Sequence, residues 1–220
     1  MIKLENVVMA SPEQMEFIIQ GMRNPMNSWE KSDSYMNFDV EYDEENDAEI
    51  HHPYYRVGAG DISLMQRLSN AGTEHRKYMR MMPVYVRITA PLYWWKEFDT
   101  YKVGTVANSC STMHKIAEKE FTMEDFSTEH MDIASETCLE ATIGYLNLFI
   151  EEYLNTKDKD DWWQMIQLLP SSYNQTRNVM LNYEVLANIY RQRKNHKLDE
   201  WREVCKWIES LPYSELITVD

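Results

Sequence analysis

The sequence is short of cysteine and of basic residues, and each shortage argues against a class of protein. Its three cysteines, Cys110, Cys138 and Cys205, are odd in number, widely spaced and without a CxxC pair. Neither a disulfide framework nor a zinc knuckle is therefore indicated. Only 22 Lys and Arg residues oppose 36 Asp and Glu residues, which gives a net charge of −14. Because nucleic-acid binding depends on a basic surface, this balance argues against a nucleic-acid partner.

Long apolar runs are also missing. The sequence has no stretch of about 18 apolar residues that could span a bilayer. Its first segment, MIKLENVVMASPEQ, carries charges where a secretory signal needs an apolar block. It has no Walker loop, no GxGxxG and no HExxH motif. These features predict a cytoplasmic globular protein with no membrane partner and no metal site.

The first half of the chain predicts short alternating elements. KLENVVMA is typical of a strand, and Ser11, Pro12 and Gln14 form a capping box that predicts the start of a helix. In GDISLMQRLSNAG, Asp61 is the expected N-cap of a second helix. PVYVRITAP alternates apolar and polar side chains between two prolines, which predicts a half-buried strand.

The second half predicts mainly helices. The segment STEHMDIASETCLEATIGYLNLFIEEYLN repeats at steps of three and four residues, and NQTRNVMLNYEVLANIYRQRKN has similar spacing. The buried stripe predicted for the first of these consists of Met131, Cys138, Thr142, Tyr145, Phe149 and Tyr153. A further helix is predicted in LDEWREVCKWIESLP, with Trp201, Val204, Cys205 and Ile208 buried. We expect one α+β domain over residues 1–220, with a mainly helical C-terminal half.

Residues 39–52 concentrate acidic charge in the stretch DVEYDEENDAE and the two histidines that follow it. Such a run is typical of a solvated surface segment. We predict an acidic loop or insertion there.

Two groups of residues suggest chemistry. Arg191, Arg193 and their neighbours up to Lys197 form a dense basic cluster at a predicted helix end. The cluster either stabilises the helix C-terminus through its dipole or binds a phosphate or carboxylate. Cys110 and His114 would form a thiolate–imidazole pair if their segment were helical, although no third orienting group is evident nearby.

The order of these segments resembles the flavin-dependent thymidylate synthases, the ThyX family. AGTEHRKYMRMMPVYVRITAPLYWWKEFDTYKVGTVANSCSTM is similar to the family's helix, its strand ending in Ala-Pro, and its signature RHRxxSxNExSxRY. LPSSYNQTRNVMLNYEVLANIYRQRKNHKLDEW is similar to its LP segment and its helix with two asparagines. The resemblance covers most of the chain from about Gly72 onward. It implies a ThyX-like α+β domain that has a small antiparallel sheet and forms homotetramers.

The resemblance also implies site residues. Lys102 and Thr105 stand at the second arginine and the serine of the signature, and Asn108 and Ser111 at its asparagine and later serine. In the C-terminal segment, Asn182, Asn188 and Arg193 match positions that hold flavin or the nucleotide phosphate in the family. The cofactor-binding residues implied are Lys102, Thr105, Asn108, Asn182 and Asn188. The substrate-binding residues implied are Ser111 and Arg193, and no catalytic residue is assigned.

Several signature residues differ. Thr100 and Tyr101 replace the first arginine and the histidine, and Ser109 replaces the glutamate. Met113 and His114 replace the final arginine and tyrosine, and no arginine precedes the LP pair. The ligand is therefore held by other residues, or it is a different ligand. One source of substitute charge is the group His75, Arg76, Lys77 and Arg80, whose alternative role is to offset the acidic surface.

The function implied is that of an FAD-dependent methyltransferase of nucleotide biosynthesis. In the family, a folate (methylenetetrahydrofolate) donates the carbon and NADPH reduces the flavin, so that dUMP or a related pyrimidine nucleotide is reductively methylated. The alternative is a protein that keeps the fold and binds flavin or nucleotide without the reaction. A third and weaker hypothesis is a nucleotide enzyme that depends on Cys110 and His114.

Overall fold

The computed structural model describes residues 2–218 and has a mixed helix and strand architecture. The strands are β1 (Lys3–Met9), β2 (Tyr35–Asp43), β3 (Ala48–Arg56), β4 (Pro83–Pro91), β5 (Val106–Ser109) and β6 (Asn174–Asn182). The α-helices are α1 (Pro12–Arg23), α2 (Ala59–Asn70), α3 (Lys77–Arg80), α4 (Leu92–Phe98), α5 (Ile133–Thr156), α6 (Lys159–Leu168), α7 (Tyr183–Arg193) and α8 (Asp199–Glu209). Short 3₁₀ turns are present at Asn24–Met26, Trp29–Lys31, Met123–Asp125 and Ser214–Leu216.

The strands form two sheets. One has four strands in the order β1-β4-β6-β5, and the other is the antiparallel pair of β2 and β3. In β4, Val84, Val86 and Ile88 are buried while Tyr85 and Arg87 are exposed, as the alternation predicted. The predicted α+β class with a small antiparallel sheet is confirmed.

Residues 39–52 lie within the β2–β3 hairpin. The pairing extends from Tyr35 opposite Arg56 to Asp43 opposite Ala48, and the acidic side chains of this hairpin are mainly exposed. The segment is thus on the surface, but it forms strands where a loop was expected. Alternation of Phe38, Val40 and Tyr42 with acidic residues explains the strand, because period-two spacing suits a pleated backbone.

The described residues form two compact units. The first contains the chain up to Asn6, Val86–Lys102 and Val106–Val179. Its apolar core is formed by α5, α6 and the loop before them, and the buried residues are Ile116, Phe121, Phe126, Leu139, Ile143, Leu146, Ile150 and Met165. In the same unit, α4 buries Trp94 and Trp95, and the Trp95 indole Nε1 donates to the carbonyl of Gln175 at 2.9 Å.

The buried face of α5 differs from the predicted stripe. Leu139, Ile143, Leu146 and Ile150 are its buried residues, whereas Cys138 and Tyr145 are exposed. The prediction found the correct period, and Met131, Phe149 and Tyr153 of the predicted stripe do pack against the core, but the fully buried face is shifted by one residue. Two neighbouring faces of α5 have the same helical spacing, one with Cys, Thr and Tyr side chains and the other with Leu and Ile. The face with Leu and Ile is buried, because aliphatic side chains gain more from leaving water.

The second unit contains Val7–Tyr85, Val103–Thr105 and the chain from Met180 onward. Its first helix, α1, begins with the predicted capping box, in which Ser11 Oγ accepts from Gln14 N and Gln14 Oε1 accepts from Ser11 N. In α8, Trp201, Val204, Cys205 and Ile208 are buried, as the sequence predicted.

Asp61 is not a helix cap. Helix α2 begins after Gly58, and the carboxylate of Asp33 accepts from the backbone N–H groups of Gly60 and Asp61 at 2.7 and 3.0 Å. The side chain of Asp61 is instead fully buried. It accepts from Arg23 Nε at 2.7 Å and from the hydroxyls of two serines, each at 2.6 Å.

The segment 174–195, predicted as one helix, is a strand followed by a helix. Strand β6 ends at Asn182, where α7 begins. Val179 and Leu181 are buried at a spacing of two, which is the strand period. The spacing of Val179, Tyr183 and Leu186 resembled a helical repeat and concealed this boundary.

Candidate functional site

A cavity of about 440 Å³ lies in the second unit. It is lined by α3, by the loop residues Val103 and Gly104, and by the first turns of α7. Two of the residues implied by the resemblance, Asn182 and Asn188, line this cavity together. Its volume is in the range of small-molecule sites.

Two arginines in the cavity share one carboxylate. Arg76 Nε donates to Glu184 Oε1 at 3.1 Å, and Arg80 Nε donates to Glu184 Oε2 at 2.5 Å. Arg80 Nη2 also donates to the carbonyl of Thr73 at 2.8 Å. The side chains of Arg76 and Glu184 are only 12% and 20% exposed, while that of Arg80 is 47% exposed. The group therefore carries one excess positive charge, with Arg76 and Glu184 largely shielded from water and Arg80 half exposed.

Arg76 keeps donors available. Within residues 2–218, its two terminal nitrogens have no hydrogen-bond partner, although the side chain is mostly buried in the cavity wall. A guanidinium presents its donors in a planar fork that fits the oxygens of a phosphate or carboxylate. The arrangement is therefore suited to bind an anion.

The N-terminus of α7 lies at the same cavity. Asn182 is the N-cap, and its Oδ1 accepts from Val185 N at 3.0 Å. The N–H of Tyr183 also has a partner, the carbonyl of Met82 at 3.2 Å, so the helix dipole is the main feature of this helix start that favours negative charge. Asn188 lies further along α7, where its Oδ1 accepts from Gln192 Nε2 at 3.2 Å. The cavity therefore offers a ligand both positive charge for an anionic group and side-chain amides for hydrogen bonds.

Gly104 brings backbone close to this helix end. Its φ is +78°, a conformation that favours glycine. A Cβ at this position would lie 2.9 Å from Asn182 Nδ2 and 3.1 Å from Val185 Cγ2. Val103 beside it is 90% exposed. At Gly104 the wall of the cavity is therefore formed by backbone, and a side chain larger than hydrogen does not fit at this position.

The remaining predicted residues of the second unit lie elsewhere. Thr105 follows Gly104 but does not line the cavity, and neither does Arg193. The Arg193 guanidinium carbon lies 4.8 Å from the ring centroid of Trp201. Eleven residues along the helix correspond to about 16 Å of axial rise, so Arg193 is at the opposite end of α7 from Asn182.

Lys102, Asn108 and Ser111 belong to the first unit. Lys102 and Asn108 are exposed, the latter on β5, and Ser111 Oγ accepts from His114 N at 3.0 Å. Their part in ligand binding stays a prediction. The segment after Cys110 forms turns and bends, so the helical geometry needed for a Cys110–His114 pair is absent there.

Glu184 and Gly104 are the contributions that the sequence did not single out. Arg76 and Arg80 had been considered as substitute cations, and the cavity contains both of them. For Glu184, the sequence shows only an acidic residue in the first turn of a helix, which indicates a favourable interaction with the helix dipole and not a site. His75 and Lys77, from the same group, are exposed and do not line the cavity.

Solved structures with the same fold include two of flavin-dependent thymidylate synthase ThyX from Helicobacter pylori with FAD and dUMP. Each is 15% identical to this chain and aligns over 99% of it and 97% or 96% of the other chain, with TM-scores of 0.64 and 0.65. A UMP/dUMP methylase, PolB from Streptomyces cacaoi bound with 5-Br dUMP, is 12% identical and aligns over 99% of this chain and 95% of its own, with a TM-score of 0.57.

No protein-family model and no curated protein sequence matches the chain. At such low identity, the structural likeness shows the fold alone. The chain therefore has the fold of the flavin-dependent thymidylate synthases, as the resemblance implied. Residues 2–218 contain no helix with the length and apolarity of a bilayer span.

Proposed function

We propose that this protein binds FAD and a pyrimidine nucleotide and reductively methylates the nucleotide. The carbon would come from methylenetetrahydrofolate, and the reducing equivalents from NADPH. The observation that carries the proposal is the cavity with Arg76, Arg80, Asn182 and Gly104, found in a fold whose solved relatives hold FAD and dUMP.

The charge and the polar groups of the cavity would suit flavin adenine dinucleotide (FAD). Arg76 and Arg80 would hold diphosphate oxygens, and the dipole at the N-terminus of α7 would favour their negative charge. Asn182 and Asn188 would donate to polar edges of the cofactor. The bare backbone at Gly104 would let a flat ring or a phosphate come close. These arginines would replace charge that the signature segment lacks at Thr100 and Tyr101.

FAD supplies the electron transfer of the reaction when bound. The chain would position it and the pyrimidine nucleotide and exclude water from the space between them. No side chain is assigned a proton-transfer step. Arg193, Ser111 and Lys102 stay proposed contacts of the nucleotide and the cofactor.

A second candidate is a protein that binds flavin or nucleotide without methylating it. The replacement of signature residues by Thr100, Tyr101 and Ser109 favours this alternative. Each missing guanidinium removes a contact of about 1.5–3 kcal/mol. Loss of two such contacts weakens binding by several orders of magnitude unless other cations replace them.

Two measurements test the proposal. The purified protein, as isolated or after addition of FAD, should show the absorption spectrum of bound flavin and a raised melting temperature. Deoxyuridylate-dependent oxidation of NADPH, with formation of methylated nucleotide, would support the enzyme. Bound flavin without that oxidation would favour the second candidate, and a colourless protein that ignores FAD would exclude both forms of flavin binding.

We propose in addition that the chain assembles as a homotetramer in the cytoplasm, as the resemblance implies. Light scattering during gel filtration should then give about four times the chain mass of 26.3 kDa. A mass of one chain at micromolar concentration would contradict this assembly.

A further inference from the structure

The first unit has a cavity of its own, of about 350 Å³. It lies where the end of α5, the start of α6 and the turns at 113–117 meet. None of the residues discussed above as cofactor or nucleotide contacts lines it. Its lining combines cations with aromatic rings, and the residues that matter are His114, Tyr153, Lys157, Lys159 and Trp162.

Two lysines provide the charge. Lys157 is the C-cap of α5 in the left-handed conformation, and Lys159 is the first residue of α6. Neither amine forms an ion pair within residues 2–218, although the protein has a net charge of −14. Lys157 Nζ lies 5.5 Å from the ring centroid of Tyr153, which holds one cation over an aromatic face at the cavity.

Two of the three nearby carboxylates accept hydrogen bonds where α5 meets α6. Asp158 Oδ1 accepts from Asp160 N at 2.9 Å, and Asp161 Oδ2 accepts from Thr156 Oγ1 at 3.2 Å. None of these three aspartates lines the cavity. The lysines therefore contribute positive charge to the cavity that no carboxylate of its wall offsets.

Trp162 provides a fixed aromatic surface. Its indole Nε1 donates to the carbonyl of Met113 at 3.0 Å, and its ring contacts Trp163 edge to face with centroids 4.8 Å apart. Both contacts hold the indole in one orientation. A rigid aromatic wall beside two cations is the combination that recognises a planar ring with an anionic substituent.

We propose that this cavity is a second binding site, for a small aromatic anion. The planar ring of the ligand lies against Trp162, and its phosphate or carboxylate lies near Lys157 and Lys159. The site is in the first unit and does not depend on the proposed function. A flavin-free protein has it as well.

The test uses the full-length protein with tryptophan replaced by a fluorine-labelled form. The protein has seven tryptophans, and the variant Trp162→Phe identifies the NMR signal of Trp162. Titration with phenyl phosphate and, separately, with benzoate should shift that signal saturably with at least one of them. Inorganic phosphate should bind at least about tenfold more weakly than phenyl phosphate, because it has no ring.

The double variant Lys157→Asn, Lys159→Gln removes both charges, and asparagine tolerates the left-handed backbone at 157. It should weaken binding of the preferred probe by at least about tenfold. The matched control is Lys119→Gln with Lys206→Gln, since both of these amines already pair with carboxylates and neither lines the cavity. Unchanged affinity in the first variant, equal loss in the control, or no saturable shift with either probe would overturn the proposal.

Discussion

At the scale of single residues, Arg76 is the most informative side chain of the candidate site. One of its nitrogens is used by Glu184 and two remain available, in a wall that is largely shielded from water. We predict that Arg76→Ala weakens FAD or nucleotide binding by about 10- to 150-fold, since a charge-assisted contact contributes about 1.5–3 kcal/mol. Isothermal titration calorimetry measures the change.

Two variants make this prediction specific. Arg191→Ala removes an exposed arginine outside the cavity and should leave the affinity unchanged. Glu184→Gln keeps the shape of the shared acceptor and removes its charge, so it should strengthen anion binding while lowering stability. If Arg76 served only to pair with Glu184, both Arg76→Ala and Glu184→Gln would change the melting temperature without changing affinity.

Substitution of Gly104 should affect both the stability of the protein and ligand binding. Gly104→Ala places a Cβ 2.9 Å from Asn182 Nδ2 at a φ of +78°. We expect a loss of about 1–2 kcal/mol in the free energy of unfolding, together with weaker ligand binding, because the loop must move. Urea denaturation and a binding titration measure the two effects.

Gly144 provides the opposite case as a control. It lies within α5, and apart from the adjacent residues and the backbone of its own helix turns, no atom is within 4 Å of the place where its Cβ would be. Gly144→Ala should therefore stabilise the protein by about 0.5–1 kcal/mol through helix propensity. Equal effects at both glycines would contradict the close approach at Gly104.

At the scale of elements, the start of α2 depends on a buried charge network. Asp61 is fully buried and holds Arg23 and two serine hydroxyls, while Asp33 caps the helix. We predict that Asp61→Ala destabilises the protein by about 3–5 kcal/mol, since the buried guanidinium of Arg23 loses its paired carboxylate and keeps only the carbonyl of Ser28 as an acceptor. Chemical denaturation provides the measurement.

A surface pair is the comparison for Asp61. Glu203 and Lys206 form an exposed bridge on α8, and Glu203→Ala should cost less than about 1 kcal/mol. A similar small cost at Asp61 would mean that water or a rearranged side chain satisfies Arg23. The expectation for α2 would then be wrong.

Elements with a strong period or an explicit cap were predictable from the sequence. The alternation of β4, the capping box of α1 and the buried face of α8 were all predicted correctly. Strand β6 was not predicted, because its first residues are polar and its last ones continue into the spacing of α7. Its identity as a strand depends on pairing with β4 and β5, which no local pattern encodes.

The site was predictable only in part, for the same reason. The pattern of asparagines pointed to Asn182 and Asn188, and both line the cavity. Glu184 becomes significant only when α3 and α7 lie together, and residues 76 and 184 are far apart in the sequence. Long-range contacts of this kind depend on tertiary structure and leave no local signal.

At the scale of the whole molecule, a buried cysteine thiol and buried tyrosine hydroxyls with raised pKa values make folding sensitive to alkaline pH. Burial raises the pKa of Cys205 from 9.0 to about 11, and burial also raises the pKa of Tyr78 and Tyr183. All three groups are protonated in the folded state where the unfolded chain begins to ionise. Their stabilising contribution is therefore complete below about pH 9 and decreases as pH rises through 11.

We predict that the free energy of unfolding falls steadily above pH 9, with Cys205 alone contributing a slope of about 1.4 kcal/mol per pH unit between pH 9 and 11. Cys205 is 4% exposed, so little solvent screening reduces this effect. The measurement is urea denaturation at half-unit steps of pH. Deprotonation of lysines at high pH also increases the net negative charge and its self-repulsion, but it acts on every variant of the chain equally.

The variant Cys205→Ala isolates the thiol. It should be less stable than the original protein at pH 8 because it leaves a small cavity in the buried face of α8. The difference between the two proteins should then shrink from pH 9 to pH 11, since only the original protein has a thiol whose ionisation favours unfolding. A difference that stays constant over this range would mean that Cys205 has the same pKa in both states, and that the tyrosines alone determine the alkaline loss of stability.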